Sequence, residues 1–153
     1  MRVYLAAPYA ARDQARSFMA QLERIGYQSC TSWLNETHDI APGTIGAATA
    51  LDNATVAGHA QTDLLDIDRC DVLVLITGTV ADCSYDRTTS GGRHVETGYA
   101  IAKGKPVVVV GEPENVFHRL GRACTVVSDW HEATIELAGR LVNDRRPRSV
   151  VAG

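Results

Sequence analysis

The residue best placed for chemistry is Glu96, in the stretch Ser90-Gly91-Gly92-Arg93-His94-Val95-Glu96-Thr97-Gly98-Tyr99-Ala100. A carboxylate can attack an electrophilic carbon and form a covalent intermediate. Near a helix start, the helix dipole favours the ionised form that such an attack needs. Gly91 and Gly92 allow close approach of the backbone to a ligand and leave N–H groups for an anion. Arg93 could pair with a phosphate or with a surface carboxylate. The reading is a glutamate nucleophile at Glu96 with a substrate cradle formed by the loop before it. His94-Val95-Glu96 also matches the H-x-E of zinc deaminases, but no Pro-Cys-x-x-Cys follows, so that chemistry and a metal are not expected. No GxGxxG or Walker loop occurs, which disfavours a dinucleotide oxidoreductase or a P-loop NTPase. No cofactor is called for.

The elements that must position Glu96 follow from apolar patterning. Val72–Ile76 and Pro106–Val110 are short apolar runs that read as strands, and a helix over about Gly92–Lys103 lies between them. A strand–loop–helix–strand run puts the loop and the first helical turn at the carboxyl edge of a parallel sheet, where open α/β folds bind ligands. Earlier in the chain, Arg2–Ala7 reads as a first strand, Ala10–Ile25 as a helix stopped by Gly26, and Tyr27–Trp33 as a second strand. Residues Asn35–Ala47 read as a loop. Ala48–Cys70 reads as a long helix with a possible break at Asn53 or Gly58. Asp71 precedes the third strand as a turn or cap residue. Thr77–Thr89 is a long polar loop of the kind that is usually functional or disordered. Val116–Leu120 reads as one helical turn and Cys124–Val127 as a fifth strand. Asp129 and Glu132 form a capping box for a last helix reaching about Val142.

Strands alternate with helices throughout, so the fold class expected is α/β. It is a single-domain, flavodoxin- or Rossmann-like three-layer sandwich with a five-stranded parallel sheet of order 2-1-3-4-5. The domain spans residues 1–143, with a flexible tail over 144–153. The switch point then falls between the first and third strands, flanked by Ala7–Arg12 and Thr77–Gly92.

The chain has 153 residues, 45% hydrophobic and 22% charged, with a net charge of −3. That suits one globular domain and argues against a general nucleic-acid binder. No apolar run is long enough to span a membrane, and the N-terminus reads straight into a strand, so a cytoplasmic protein without a signal peptide is expected. The four cysteines, Cys30, Cys70, Cys83 and Cys124, are dispersed and read as reduced thiols, mostly small core residues.

Three pieces in order carry a family resemblance. They are Tyr4-Leu5-Ala6-Ala7-Pro8-Tyr9; Thr62-Asp63-Leu64 with Cys70-Asp71-Val72-Leu73-Val74; and Glu96-Thr97-Gly98-Tyr99-Ala100 with Gly104-Lys105-Pro106-Val107. The chain resembles the nucleoside 2-deoxyribosyltransferase superfamily, whose members exchange bases between deoxynucleosides or hydrolyse the N-glycosidic bond of nucleoside monophosphates. The resemblance implies a nucleophile at Glu96, a positioning hydroxyl at Tyr4, and proton transfer to the base or acceptor by Asp63. It also implies a homodimer or larger homo-oligomer with sites completed by a neighbouring chain, and a small-molecule nucleoside or nucleotide as ligand. Ser90 stands where the transferases carry aspartate and matches the phosphate-recognising hydrolases. The opening turn departs from the pattern, with Ala7-Pro8 in place of Gly-Pro or Gly-Ser. The hydrolases' phosphate-holding serine and arginine have no clear match at Pro8 and Ala10, though Arg12 is near.

Candidate substrate contacts are therefore Pro8, Arg12, Trp33, Ser90, Gly91, Gly92 and Arg93, with Trp33 either stacking on a base or lying in the core. Departure of a base builds positive charge on the sugar and needs a proton at the leaving nitrogen; Asp63 could supply it if burial raises its pKa. The favoured activity is N-glycosidase action on a nucleoside 5′-monophosphate or nucleoside. The rivals are base exchange, cleavage of an NAD-type ribosyl bond, and nucleotide sensing without turnover.

Overall fold

A computed structural model describes residues 1–36, 53–81 and 91–144. Five parallel strands form one sheet: β1 (Arg2–Ala6), β2 (Gln28–Ser29), β3 (Val72–Ile76), β4 (Val107–Val110) and β5 (Cys124–Val127), in the order β2-β1-β3-β4-β5. The register pairs Tyr4 with Leu73, Leu73 with Val107, and Val107 with Cys124. β3 and β4 are buried along their whole length, as strands covered on both faces must be; this is why they read as unbroken apolar runs.

The helices are α1 (Arg12–Ile25), α2 (Asn53–Arg69), α3 (Gly92–Ala102) and α4 (Trp130–Asp144). Contacts sort them into two layers. Phe18 of α1 stacks on Trp130 of α4 with ring centroids 3.9 Å apart, and the Trp130 indole donates to Gln21 at 3.0 Å. On the other face, α2 meets α3 through Asp68, which accepts from Tyr99 at 3.1 Å and from Lys103 at 2.9 Å. Right-handed crossovers require this division: the chain moves one way across the sheet through α1 and the other way through α2 and α3.

The expected second strand, Tyr27–Trp33, is mostly absent. Only Gln28 and Ser29 pair with β1, and Ser32–Asn35 turns into a 3₁₀ helix. Side chains replace the missing ladder. The Leu5 N–H donates to Thr31 Oγ1 at 2.9 Å, and the Trp33 indole N–H donates to the Leu5 carbonyl at 2.8 Å. With β1 satisfied in this way, the edge strand is free to peel away.

Other expectations shift at their edges. The first helix opens with a 3₁₀ turn over Tyr9–Ala11 and becomes α-helical at Arg12; it ends at Gly26, at φ 109°. Its buried face is Ala15, Met19 and Leu22, while Ile25 lies at the surface. α2 runs unbroken through Gly58, and residues 48–52 lie outside the described residues. Half of the expected capping box forms: Glu132 N–H donates to Asp129 Oδ1 at 2.9 Å, while Glu132 Oε2 accepts from Ser128 N–H, one residue before the cap, at 2.8 Å. α4 continues to Asp144, and the rest of the expected tail lies outside the described residues. Most of the loop after β3, with Cys83 and Ser90, does so too. Cys70 and Cys124 are buried free thiols, and Cys30 is half-buried.

Gly111 ends β4 at φ 99°, and a Cβ there would collide with Thr77 Oγ1 and Thr79 Oγ1. The Thr77 hydroxyl donates to the Val110 carbonyl at 2.8 Å, so this close approach ties the loop after β3 to the end of β4.

Candidate active site

Tyr4 is the middle residue of β1, and its side chain crosses from the sheet toward α2 and α3. It has no solvent exposure. Its hydroxyl donates to Glu96 Oε1 at 3.0 Å and also interacts with the Asp63 carboxyl. Three elements distant in sequence thus bring one tyrosine and two carboxyls together. Asp63 Oδ1 is buried and has no hydrogen-bond partner.

The electrostatics follow from crowding and burial. Glu96 is pushed up to about 8, first by desolvation and then by the charge of Asp63; the Tyr4 hydrogen bond and Arg93 oppose the rise. Asp63 is pushed up to about 6 by desolvation and by Glu36, against the Tyr4 hydrogen bond and His59. Burial and the two carboxylates push the Tyr4 phenol well above its usual value, so it is a hydrogen-bond donor at any ordinary pH. This corrects the dipole argument. Glu96 lies in the second turn of α3, beyond the reach of the N-terminal N–H groups, and burial favours its protonated form.

The other candidate residues separate into groups. Pro8 is buried just past β1, and its carbonyl accepts from Ala11 N–H at 2.8 Å to start the 3₁₀ turn. Arg12 Nη1 donates to the Tyr9 hydroxyl and, at 2.9 Å, to the Glu36 carbonyl; its guanidinium lies over the Tyr9 ring. Trp33 is buried, its indole N–H donates to the Leu5 carbonyl, and Tyr9 is tilted against it with ring centroids 6.0 Å apart. Ser90 lies outside the described residues. Gly91 and Gly92 are exposed, and a Cβ on either would meet nothing. Gly91 has an ordinary right-handed backbone, so neither glycine is demanded by the fold around it.

Arg93 takes the carboxylate partner. Its side chain is 1% exposed, and its Nε and Nη2 donate to Glu114 Oε2 and Oε1 at 3.0 and 2.9 Å. Glu114 Oε1 also accepts from Gly78 N–H at 2.8 Å, so this fork ties α3 to the loops after β3 and β4. Beside it, His118 is fully buried. The Asn115 amide lies 3.0 Å from His118 Nε2 and 3.3 Å from His94 Nδ1.

Sequence reasoning did not single out Glu36, His59 or Glu114. Glu36 Oε1 lies 3.0 Å from His59 Nδ1, and His59 sits one turn before Asp63 on α2. The i, i+4 spacing of His59 and Asp63 was the only available signal. Among the described residues, no group of three or more His, Cys, Asp or Glu is arranged to hold a metal ion, and no helix is long and apolar enough to cross a membrane.

A five-stranded 2-1-3-4-5 sheet with two carboxyls and a tyrosine gathered at β1 defines an α/β protein of the deoxyribosyltransferase type. The profile of the nucleoside 2-deoxyribosyltransferase family matches residues 3–144, and the chain belongs to that family. Two solved structures share the fold. One is the Clostridium botulinum CMP N-glycosidase BcmB, with 18% identity, a TM-score of 0.52, and coverage of 90% of this chain and 98% of that one. The other is the 2-deoxyribosyltransferase of Bacillus psychrosaccharolyticus, with 22% identity, a TM-score of 0.59, and coverage of 87% and 90%. A search of curated protein sequences finds no match.

Proposed function

We propose that this protein is an enzyme that cleaves the N-glycosidic bond of a nucleoside 5′-monophosphate or nucleoside, with Glu96 as nucleophile. The observation that carries the reading is the 3.0 Å hydrogen bond from the buried Tyr4 hydroxyl to Glu96, with the Asp63 carboxyl alongside. A carboxylate fixed in one rotamer beside a second carboxyl of elevated pKa is the equipment that glycosyl transfer requires. Family membership supports action on nucleosides or nucleotides.

Glu96 attacks the anomeric carbon as the C–N bond breaks, the bonding pair leaves with the base, and Asp63 gives its proton to the base nitrogen. Water then attacks the glycosyl ester, Asp63 takes a proton from that water, and Glu96 is released. A second base in place of water would give exchange. Hydrolysis of a nucleotide is favoured by Ser90 in place of aspartate and by the glycine pair. With Arg93 engaged by Glu114, phosphate contacts fall to Ser90 and the backbone of Gly91 and Gly92, with Arg12 nearby.

Cleavage needs Glu96 ionised and Asp63 protonated. Between pH 6 and 8 the pair shares one proton, and that proton favours Glu96. The reactive arrangement is the minor one of the two. The kcat/KM profile should therefore be a bell with limbs near the two macroscopic values, about 6 and about 8.

The test is incubation with each common nucleotide and nucleoside and chromatographic detection of free base. Unchanged release by Glu96→Ala would remove Glu96 from the role. A new nucleoside formed in the presence of a second base would assign transfer. We also propose a homodimer or larger homo-oligomer. Val95 and Phe117 are 66% and 62% exposed beside an apolar groove of about 700 Å³ lined by α3 and the turn after β4. Sedimentation giving a monomer at micromolar concentration would refute this.

A further inference from the structure

We propose that the β5 edge of the sheet, together with α4, is a second self-association surface, on which another copy of this chain docks about a twofold axis. It is distinct from the groove beside α3, and it does not depend on the roles given to Tyr4, Asp63 and Glu96.

The backbone of β5 sets the geometry. Val107 N–H donates to the Ala123 carbonyl at 2.8 Å, and Gly111 N–H to the Val127 carbonyl at 2.9 Å. Alternation then turns the polar groups of Ala123, Thr125 and Val127 toward β4, and those of Cys124 and Val126 outward. Both ends of this outer edge are already engaged. Cys124 N–H donates to the Leu120 carbonyl at 2.8 Å, and Ser128 N–H to Glu132 Oε2 at 2.8 Å. Between them Val126 presents an outward N–H and C=O, and its side chain is exposed. β5 carries none of the charges or prolines that blunt an edge strand. Two copies related by a twofold axis at Val126 pair antiparallel, each Val126 N–H donating to the other's Val126 carbonyl.

The side chains of α4 point to the same axis. Ile135, Gly139 and Val142 fall at i, i+4 and i+7 on its outer face; both apolar side chains are exposed, and a Cβ on Gly139 would meet nothing. Two such helices crossing antiparallel near Gly139 bring Ile135 of each against Val142 of the other, and Glu136 of each against Arg140 of the other. The level of the crossing agrees with the strand. Arg140 Nη2 donates to Thr125 Oγ1 at 3.0 Å, and Glu132 Oε2 holds Ser128 N–H. Three residues of strand, about 10 Å, therefore run beside eight of helix, about 12 Å, and Val126 stands level with Leu137 and Ala138. A cleft of about 340 Å³ lined by Val127, Ile135, Gly139 and Arg140 joins the two elements into one surface. A parallel strand supplied by the same chain after α4 does not suit this edge. α4 packs in the layer of α1, through Phe18–Trp130 and the Tyr27 hydroxyl on the Leu137 carbonyl, so that crossover would be left-handed.

One strand pair and one helix crossing make a small contact, so the association should be weak, at roughly 10–100 µM. The experiment is sedimentation equilibrium of the full chain across that range. With the groove beside α3 also in use, wild type should pass from dimer to tetramer. Val126→Pro removes the outward N–H at an edge position where proline is tolerated, and should weaken that step roughly tenfold or more. A Val126→Pro protein that assembles as wild type does would overturn the proposal, and so would a wild type that stays monomeric. Glu136→Arg and Arg140→Glu give a readout that a folding defect cannot imitate. Each alone should lose association at this surface, and an equal mixture should regain it, because each copy then meets opposite charge. A mixture no better than its components would also overturn the proposal. If Val126→Pro does not fold, the mixture carries the test. Phe117→Glu separates the two surfaces. Loss of all assembly in Phe117→Glu, with none in Val126→Pro, removes the β5 surface alone; the reverse pattern upholds it and removes the groove.

Discussion

Replacing Glu96 by glutamine should make the protein more stable above neutral pH, and the effect can be worked from the site itself. Glu96 sits in folded surroundings that raise it from 4.5 to about 8. A raised folded pKa gives a contribution that is complete below the unfolded value and lost as pH rises through the folded one. The window is therefore pH 4.5 to 8. At about 1.4 kcal/mol per unit, the full gap corresponds to roughly 5 kcal/mol. Solvent reaches part of the residue, and a realistic effective dielectric brings the figure to ~2–3 kcal/mol. Glutamine keeps the shape and still accepts from Tyr4, but it has no charge to bury. Wild type and Glu96→Gln should match at pH 4.5 and diverge as pH rises. At pH 9 the variant should melt about 5–10 °C higher, at ~2–4 °C per kcal/mol for a chain of this size. The assay is thermal unfolding by circular dichroism in half-unit steps. Parallel curves, or a variant less stable at pH 9, would show that the Glu96 carboxylate is not held at a cost and would refute the burial argument.

Three further outcomes follow from the contacts. Tyr4→Phe removes the donor that favours ionised Glu96; a hydrogen bond to a charged group is worth ~1.5–3 kcal/mol, so base release on the acid side should fall about 10–100-fold and the alkaline limb should move up. Steady-state profiles check this, and an unmoved limb would contradict it. Gly111→Ala places a Cβ against Thr77 and Thr79 at a left-handed backbone position; it should cost at least ~1–3 kcal/mol, measured by urea unfolding, while Gly98→Ala, with open space around it, should cost far less. Breaking the Arg93–Glu114 fork should cost about 3 kcal/mol, and Glu114→Gln should cost more than Arg93→Met. The first strands a guanidinium that is 1% exposed, the second a carboxylate that is 18% exposed.

What could be read from the chain depended on how far apart the causes lie. β3 and β4 are continuous apolar runs because both faces are covered, and that property is local. Strand order followed from alternation and handedness. β2 could not be bounded, because what shortens it is the Thr31 hydroxyl and the Trp33 indole bonding to Leu5, more than twenty residues away. Arg93 could not be assigned for the same reason. Its partner lies beyond β4, and only the β3–β4 register brings Glu114 under α3. The resemblance brought Tyr4, Asp63 and Glu96 together by motif, but no motif pointed to the Glu36–His59 pair beside them.

The largest correction, the environment of Glu96, bears on how such a site would work. A carboxylate favoured by a helix dipole would be ionised before substrate arrives and would gain little during reaction. A buried carboxyl near 8 is mostly protonated at rest, with the charge of the pair on Asp63. On the proposed reading, the sugar's developing positive charge supplies the counter-charge for Glu96. It stabilises ionised Glu96 as the C–N bond lengthens, while the departing base grows basic enough to draw the proton of Asp63. Both changes act on the transition state more than on the bound substrate, and only such differential interactions raise kcat. Tyr4, donating to Glu96 in either state, fixes where the charge will sit.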